Sequence, residues 1–294
     1  MIVNPLEASE ALRDLHTAGL ESGDDTGWPG LDEHYTVVPG QWTLVTGIPS
    51  HGKSEFLDAL CVNLARQDWC FMVFSPENWP IQVHIAKLLE KWTRQPFFAG
   101  PDRLSEPDAQ SKLARLQDHF EFIVQDSDAV ATTIPWIITE AFERIDELRD
   151  RDRSIGRARK YGLIIDPWNE VEHQRPEKST ETEYISYALS YIRQHCRQWS
   201  IHAWVVAHPK MLQRDKDGKR PVPTPYDISG SANWYNKSDN IITVWRDVED
   251  ASGRVEIHVQ KVRFRHVGRP GMVELTYDRA TGTYSQPLMP RSRF

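Results

Sequence analysis

At 294 residues and a net charge of −7, the chain can bury one large core but has no comfortable room for a second full catalytic domain. Its 39% hydrophobic and 26% charged residues exclude a disordered or fibrous protein. The acidic balance excludes a molecule coated in basic surface, so any nucleic-acid site must be a local concentration of Lys and Arg.

No apolar run approaches the roughly 20 residues that cross a bilayer. The opening MIVNPLEASEALRD has neither the basic nor the apolar region of a signal peptide. A cytoplasmic protein with no membrane partner is therefore expected. Residues 1 to 30 are polar and Gly/Asp-rich, with a weak helix around Ala8 to Ala18, and read as an arm or linker ahead of one domain over 31–294.

From Gln41 short apolar runs alternate with longer amphipathic stretches, the pattern of a mainly parallel α/β sheet with crossover helices. Strands are predicted at Trp42 to Thr46, Phe71 to Phe74, Phe120 to Val124, Leu163 to Ile165 and Ala203 to Ala207. Helices are predicted at Lys53 to Gln67, Ile81 to Trp92, Asp108 to Asp118, Ile134 to Arg149 and Glu183 to Trp199. After Asn240 the β-rich segments Ile241 to Trp245, Val255 to Val262 and Val273 to Tyr277 suit strands added at one sheet edge. The charged run Glu143 to Lys160 reads as a solvated helix end and loop. Cys61, Cys70 and Cys196 are too widely spaced for a zinc pair and read as buried small hydrophobes.

The strongest motif is Gly47-Ile48-Pro49-Ser50-His51-Gly52-Lys53-Ser54, which satisfies G-x-x-x-x-G-K-[ST] between a strand and a helix. Backbone N–H groups of such a loop point at phosphates, Lys53 neutralises β/γ oxygens and Ser54 holds Mg²⁺. Gly47, Ser50, His51, Gly52, Lys53 and Ser54 are thus the predicted phosphate-binding set for ATP. His51 is an unusual choice there, and the sequence offers no reason for it.

The strand YGLIID ends in Asp166, placed to hold the Mg²⁺ through water. FMVFSPE ends in Glu77, which can orient and deprotonate water if its strand neighbours the phosphate-loop strand. His208 follows AWVVA and can sense the γ-phosphate, although a lone His is more often structural.

The succession TGIPSHGKSEFLDAL, FSPENWP, LIIDPWNEVEHQRP, VVAHPK, DISGSANWYNKSDNIITVWR, KVRFR and LTYDRATG resembles the DnaB-like hexameric helicases, most of all the Twinkle branch and phage primase-helicases. The resemblance spans roughly Thr26 to Pro287, and it implies a RecA-like P-loop NTPase motor over 31–294 with antiparallel edge strands at its C-terminal end. It implies Glu77 as catalytic base, Asp166 as the magnesium-organising carboxylate and His208 as γ-phosphate sensor. Lys261 and Arg263 match the pair that enters a neighbour's ATP site, Arg263 as arginine finger. Arg246 and Tyr277 match the residues flanking adenine.

Lys210, Arg214, Lys216, Lys219 and Arg220 cluster around an Asp-Gly turn directly after His208. In the resemblance this segment lines a channel for single-stranded DNA, six loops supplying the positive charge that one acidic chain lacks. The implied partners are single-stranded DNA, further copies of the chain in a homohexameric ring, and a separate or fused primase. The implied setting is a bacterial or phage-infected cell. There is no zinc-binding cysteine cluster and no room for a primase domain before Thr26, so the chain is not expected to prime DNA. Two rivals stay open: a RecA-like recombinase or loader without unwinding, and an assembly module that binds ATP without hydrolysing it.

Overall fold

The computed structural model describes residues 4–20, 22–98, 100–125, 130–213, 216 and 220–286. Among these residues nine strands form one sheet in the order β3-β2-β4-β5-β1-β6-β7-β8-β9. They are β1 Trp42–Thr46, β2 Trp69–Phe74, β3 Phe120–Phe122, β4 Lys160–Ile165, β5 His202–Ala207, β6 Asn240–Trp245, β7 Arg254–Val262, β8 Gly271–Asp278 and β9 Thr283–Ser285. β1 to β6 are mutually parallel, and β7, β8 and β9 continue the sheet antiparallel. The first C-terminal strand, β6, is therefore a parallel neighbour of β1, and only its successors make the antiparallel edge.

The helices are α1 Ser9–Ala18, α2 Pro29–Asp32, α3 Lys53–Ala65, α4 Ile81–Thr93, α5 Glu106–Leu116, α6 Ile134–Ser154, α7 Glu181–Trp199 and α8 Ser231–Lys237. Their starts follow from local chemistry. Thr180 and Glu183 form a reciprocal capping box on α7, while Thr133 accepts from the Trp136 N–H at the start of α6. β1 is buried at every position because helices cover both sheet faces, which is why WTLVT reads as an unbroken apolar run. On one face Phe56, Trp69, Phe71, Trp204 and Tyr284 pack together; on the other, Trp42, Phe142, Trp168 and Trp234.

Three features depart from the sequence reading. The packed domain begins before residue 31: Asp24 bridges Val37, and Trp28 is buried, stacked on Phe56 and donating its indole N–H to the Tyr284 carbonyl. Ahead of that, Leu6 in the 3-10 turn Pro5–Ala8 and Leu12 and Leu15 of α1 are exposed. The charged run Glu143 to Lys160 is not wholly solvated, since α6 runs on to Ser154 and Asp152 is buried. Asp152 faces Arg159 and accepts from the Tyr161 hydroxyl at 2.6 Å, a pairing that burial of two charges requires. Finally, β2 does not neighbour β1, because β4 and β5 lie between them. Cys61, Cys70 and Cys196 are free and buried.

Candidate nucleotide site

The parallel strands share one carboxyl edge, and the loops leaving it bring Gly47 after β1, Glu77 after β2, Asp166 after β4, His208 after β5 and Arg246 after β6 to one end of the sheet. Ligands of open α/β sheets bind at this edge. A cleft of about 660 Å³ opens there, lined by residues 49–55, Glu77, Asn78, Lys87, His208, Arg246 and, from the antiparallel edge, Tyr277, Arg279 and Tyr284.

The loop geometry explains its glycines. Gly47 sits at φ +149°, and a Cβ there would lie 2.3 Å from the Val244 carbonyl. Gly52, at φ +93°, caps α3 in the left-handed region. Ser50 takes φ +66° without being glycine, a conformation that costs energy and is held by its surroundings. One such contact is the Arg246 guanidinium, which donates to the Ser50 carbonyl at 2.7 Å. Lys53 is buried and donates to the Ile48 carbonyl at 3.2 Å. Burial pushes its ammonium down to about 8, against the pull of Asp166 and Glu77.

Asp166 is buried, and burial pushes its carboxyl up to about 6 while the Ser54 hydroxyl and Lys53 pull the other way. Its Oδ1 has no hydrogen-bond partner, and a buried unpaired oxygen is costly. One carboxylate and one hydroxyl make an all-oxygen donor set of the kind Mg²⁺ takes alongside phosphate, so these residues fit that ion. Glu77 is largely exposed; partial burial and the nearby Glu170 raise its carboxyl, with Lys53 opposing. It reaches the cleft through the loop after β2 rather than by lying beside β1. His208 is pushed down to about 4 by burial and then by the charge of Lys53. Its backbone N–H donates to Asn169 Oδ1 at 3.0 Å, which ties β5 to the loop after β4.

Arg246 and Tyr277 both line the cleft. Tyr277 lies 5.0 Å from the Tyr284 ring and beside Glu55, and burial pushes its phenol well above the ordinary range. Tyr284, Arg279, Lys87 and Asn169 had no readable signal: Tyr284 stands on the three-residue β9, too short to show a pattern, and its hydroxyl donates to the Gly52 carbonyl at 3.4 Å.

Lys261 and Arg263 are not in this cleft. The Arg263 N–H donates to the Asp239 carbonyl and the Asp239 N–H to the Trp42 carbonyl, so Arg263 sits at the amino end of β1. Five residues of β1 separate it from its own phosphate loop, roughly 15 Å at about 3.3 Å per residue. Its guanidinium is about a quarter exposed, donates to the Asn236 and Ser238 carbonyls at 2.8 and 3.0 Å, and pairs with buried Asp239 at 2.8 Å. Lys261 donates to the Ser238 carbonyl at 2.8 Å and lies over the Tyr235 ring; burial, then Arg263, pushes it down to about 8.

Lys210, Lys216 and Arg220 are exposed; Arg214 and Lys219 lie outside the described residues. No helix among the described residues is long and apolar enough to cross a membrane.

Sheet order, phosphate loop and acidic strand ends together define a RecA-like ATPase fold. The chain is 41% identical over 290 residues to the Twinkle homolog protein, chloroplastic/mitochondrial, of Arabidopsis thaliana, a match over 94% of this chain and 39% of that protein. No protein-family model matches. Among solved structures, the ATPase domain of G40P superposes with a TM-score of 0.75 at 17% identity, covering 98% of this chain and all of that one. A DnaB-like replicative helicase, whose structure concerns its interactions with primase, gives 0.71 at 17% identity over 97% of this chain and 67% of that one. The RadB recombinase gives 0.56 at 13% over 87% and 97%; such low identities speak for the fold alone. The chain thus shares the RecA-like ATPase fold of these structures and is similar in sequence to the Twinkle homolog over 39% of that protein's length. The relative's name places it in chloroplasts and mitochondria, so the expectation of a bacterial or phage-infected cell is without support.

Proposed function

We propose that the chain is an ATP-hydrolysing DNA helicase motor that works at subunit interfaces, translocating on single-stranded DNA and separating duplexes in replication. One observation carries this reading: Lys53, Ser54, Glu77 and His208 line a single cleft, and the buried Asp166 carboxylate lies directly behind it, beside Lys53 and Ser54. Lys53 exchanges the Ile48 carbonyl for the β/γ-phosphates. Glu77, with its raised carboxyl, takes the proton of the attacking water. His208 is neutral at physiological pH and accepts or donates a hydrogen bond to the γ-phosphate without adding charge. Arg246 and Tyr277 hold the adenine between a guanidinium and a phenol ring. Ser54 and Asp166 would hold Mg²⁺, which supplies charge neutralisation of the phosphates when bound.

Lys261 and Arg263 are read as acting on the adjacent copy, because their own cleft lies at the other end of the sheet. A finger supplied in trans makes hydrolysis conditional on assembly into a ring, for which a hexamer is the proposed form. Lys210, Arg214, Lys216, Lys219 and Arg220 are the proposed contacts to DNA phosphates. A primase, separate or fused, is the proposed further partner, and cytoplasmic action the proposed setting.

Phosphate release with and without single-stranded DNA, run beside a Glu77→Gln control, tests hydrolysis; forked DNA tests unwinding. Hydrolysis without strand separation would favour a recombinase or loader. Absence of both would leave a nucleotide-binding assembly module.

A further inference from the structure

The basic segment leaves the sheet at His208 and returns through Arg220 to Pro223 to the neighbourhood of β6. That return arm is fastened to the end of β6 and to β7. Trp245 Nε1 donates to the Arg220 carbonyl at 3.2 Å, Thr243 Oγ1 to the Pro223 carbonyl at 3.2 Å, and Gln260 Nε2 to the same carbonyl at 2.7 Å.

The end of β6 is fastened equally to the phosphate loop. His51 is 4% exposed, and its Nδ1 lies 3.2 Å from the Arg246 backbone N–H. A backbone amide only donates, so Nδ1 is the acceptor and the ring is the neutral tautomer protonated at Nε2. The His51 ring meets the Trp245 indole edge-on at 6.3 Å. Burial, then the charges of Arg246, Lys53 and Arg220, pushes the imidazole down to about 4, which keeps it an acceptor at neutral pH.

Residues 48–51 are also the part of the loop that must respond to nucleotide. Lys53 is bonded to the Ile48 carbonyl, and phosphate competes for that ammonium. Ser50 is held at positive φ with its carbonyl on Arg246. A change at Ile48 and Ser50 therefore reaches His51 and the end of β6 through packed, hydrogen-bonded groups.

Building on the helicase reading above, we propose that His51 and Trp245 form a positioning relay that ties the phosphate loop to the return arm of the basic segment at Arg220. Nucleotide at Lys53 and single-stranded DNA at the segment then influence each other through this second route, separate from His208 on the outgoing arm. The unusual histidine in the loop has a reason here: only a residue with both an acceptor and a ring would accept from Arg246 and also meet Trp245.

Coupling between two ligands is reciprocal and is read as a ratio of affinities. The experiment measures single-stranded DNA affinity by fluorescence anisotropy, with and without a non-hydrolysable ATP analogue. For the unaltered protein a ratio of at least about fivefold is expected, and in Trp245→Phe, which keeps the ring but loses the donor, a ratio near one. Basal hydrolysis and analogue affinity of Trp245→Phe stay within about twofold of the parent, as expected of a residue outside the cleft. His51→Asn, which keeps an acceptor but not the ring, is the second variant and is expected to lose the ratio as well. The double variant loses no more than either single one, because links of one chain are not additive.

Full retention of the ratio in a folded Trp245→Phe or His51→Asn, checked by thermal melting, overturns the relay, as does a ratio of one in the unaltered protein. Failure of the unaltered protein to bind single-stranded DNA in any nucleotide state would instead sink the helicase reading beneath it.

Discussion

The two ends of the parallel sheet contrast in how they treat charge. At the carboxyl end Lys53 and Asp166 are buried with shifted protonation, and the Asp166 Oδ1 lacks any partner. At the amino end Arg263 is partly exposed, its guanidinium on two backbone carbonyls and the buried Asp239 carboxylate. The first end is strained in a way that a polyphosphate and a cation would relieve. The second presents a cation, held but reachable, that does not line the chain's own nucleotide cleft, and this asymmetry is what the proposed head-to-tail assembly needs.

The largest effect that can break this comparison is at Arg263. In Arg263→Ala, hydrolysis by the assembled protein should fall about 10³-fold or more, while nucleotide affinity of the isolated chain holds. Mixing that variant with Glu77→Gln should restore part of the activity, since some interfaces then pair an intact cleft with an intact finger. Equal inactivity of every mixture, measured by phosphate release, would place Arg263 in its own chain's chemistry or in none.

Lys53→Ala should cost about 10³-fold in hydrolysis, the scale of losing a preorganised positive donor, and should weaken nucleotide binding, read by titration calorimetry. Glu77→Gln should lower the turnover rate about 10²-fold, as removal of a general base does, with nucleotide affinity nearly unchanged. Loss of affinity equal to the loss of rate would make Glu77 a binding group.

The smallest effect concerns the helix pair behind the cleft. His84 of α4 and Asp58 of α3 are buried and paired at 3.0 Å. Burial lowers His84, but Asp58 outweighs it and holds the imidazole above its ordinary value. Burial raises Asp58, yet His84 and the lysines 91 and 87 together hold the carboxyl below its own. A raised His contributes stability fully below about 6.5 and loses it as pH rises through the folded value; a lowered Asp contributes above about 3.9 and loses it as pH falls through its folded value. The pair is therefore strongest between those limits. His84→Gln should cost about 2 kcal/mol near pH 6 and progressively less toward pH 9, since breaking a buried pair is costly while glutamine keeps one donor for Asp58. A pH-independent difference in thermal melts would contradict this assignment.

Much of this was legible in the residues. The phosphate loop, the acidic ends of β2 and β4 and the strand before His208 are local patterns, set by periods of two and 3.6 and by glycine's access to positive φ. Glu77 is expected at the end of its strand; it lies in the turn after β2, and the condition attached to it, adjacency of β2 and β1, fails because strand order is not a property of any one strand. Tyr284 and Asn169 gave no signal, since each acts through a contact with a distant residue, Gly52 or His208. The buried end of the charged run escaped notice for a similar reason. Asp152 and Arg159 are hidden by their mutual pairing, which composition does not reveal.

The sequence by itself determined the longer elements of the sheet and its helices, the glycine-rich loop between β1 and α3 and the acidic residues after β2 and β4, because hydrogen-bond closure, periodicity and steric freedom act over a few residues. Only the tertiary structure decided that β4 and β5 stand between β1 and β2, that Arg263 lies a full strand length from its own cleft, and that His51 touches Trp245. Those are outcomes of packing two apolar faces of one sheet at once, a condition imposed by residues hundreds of positions apart and written at none of them.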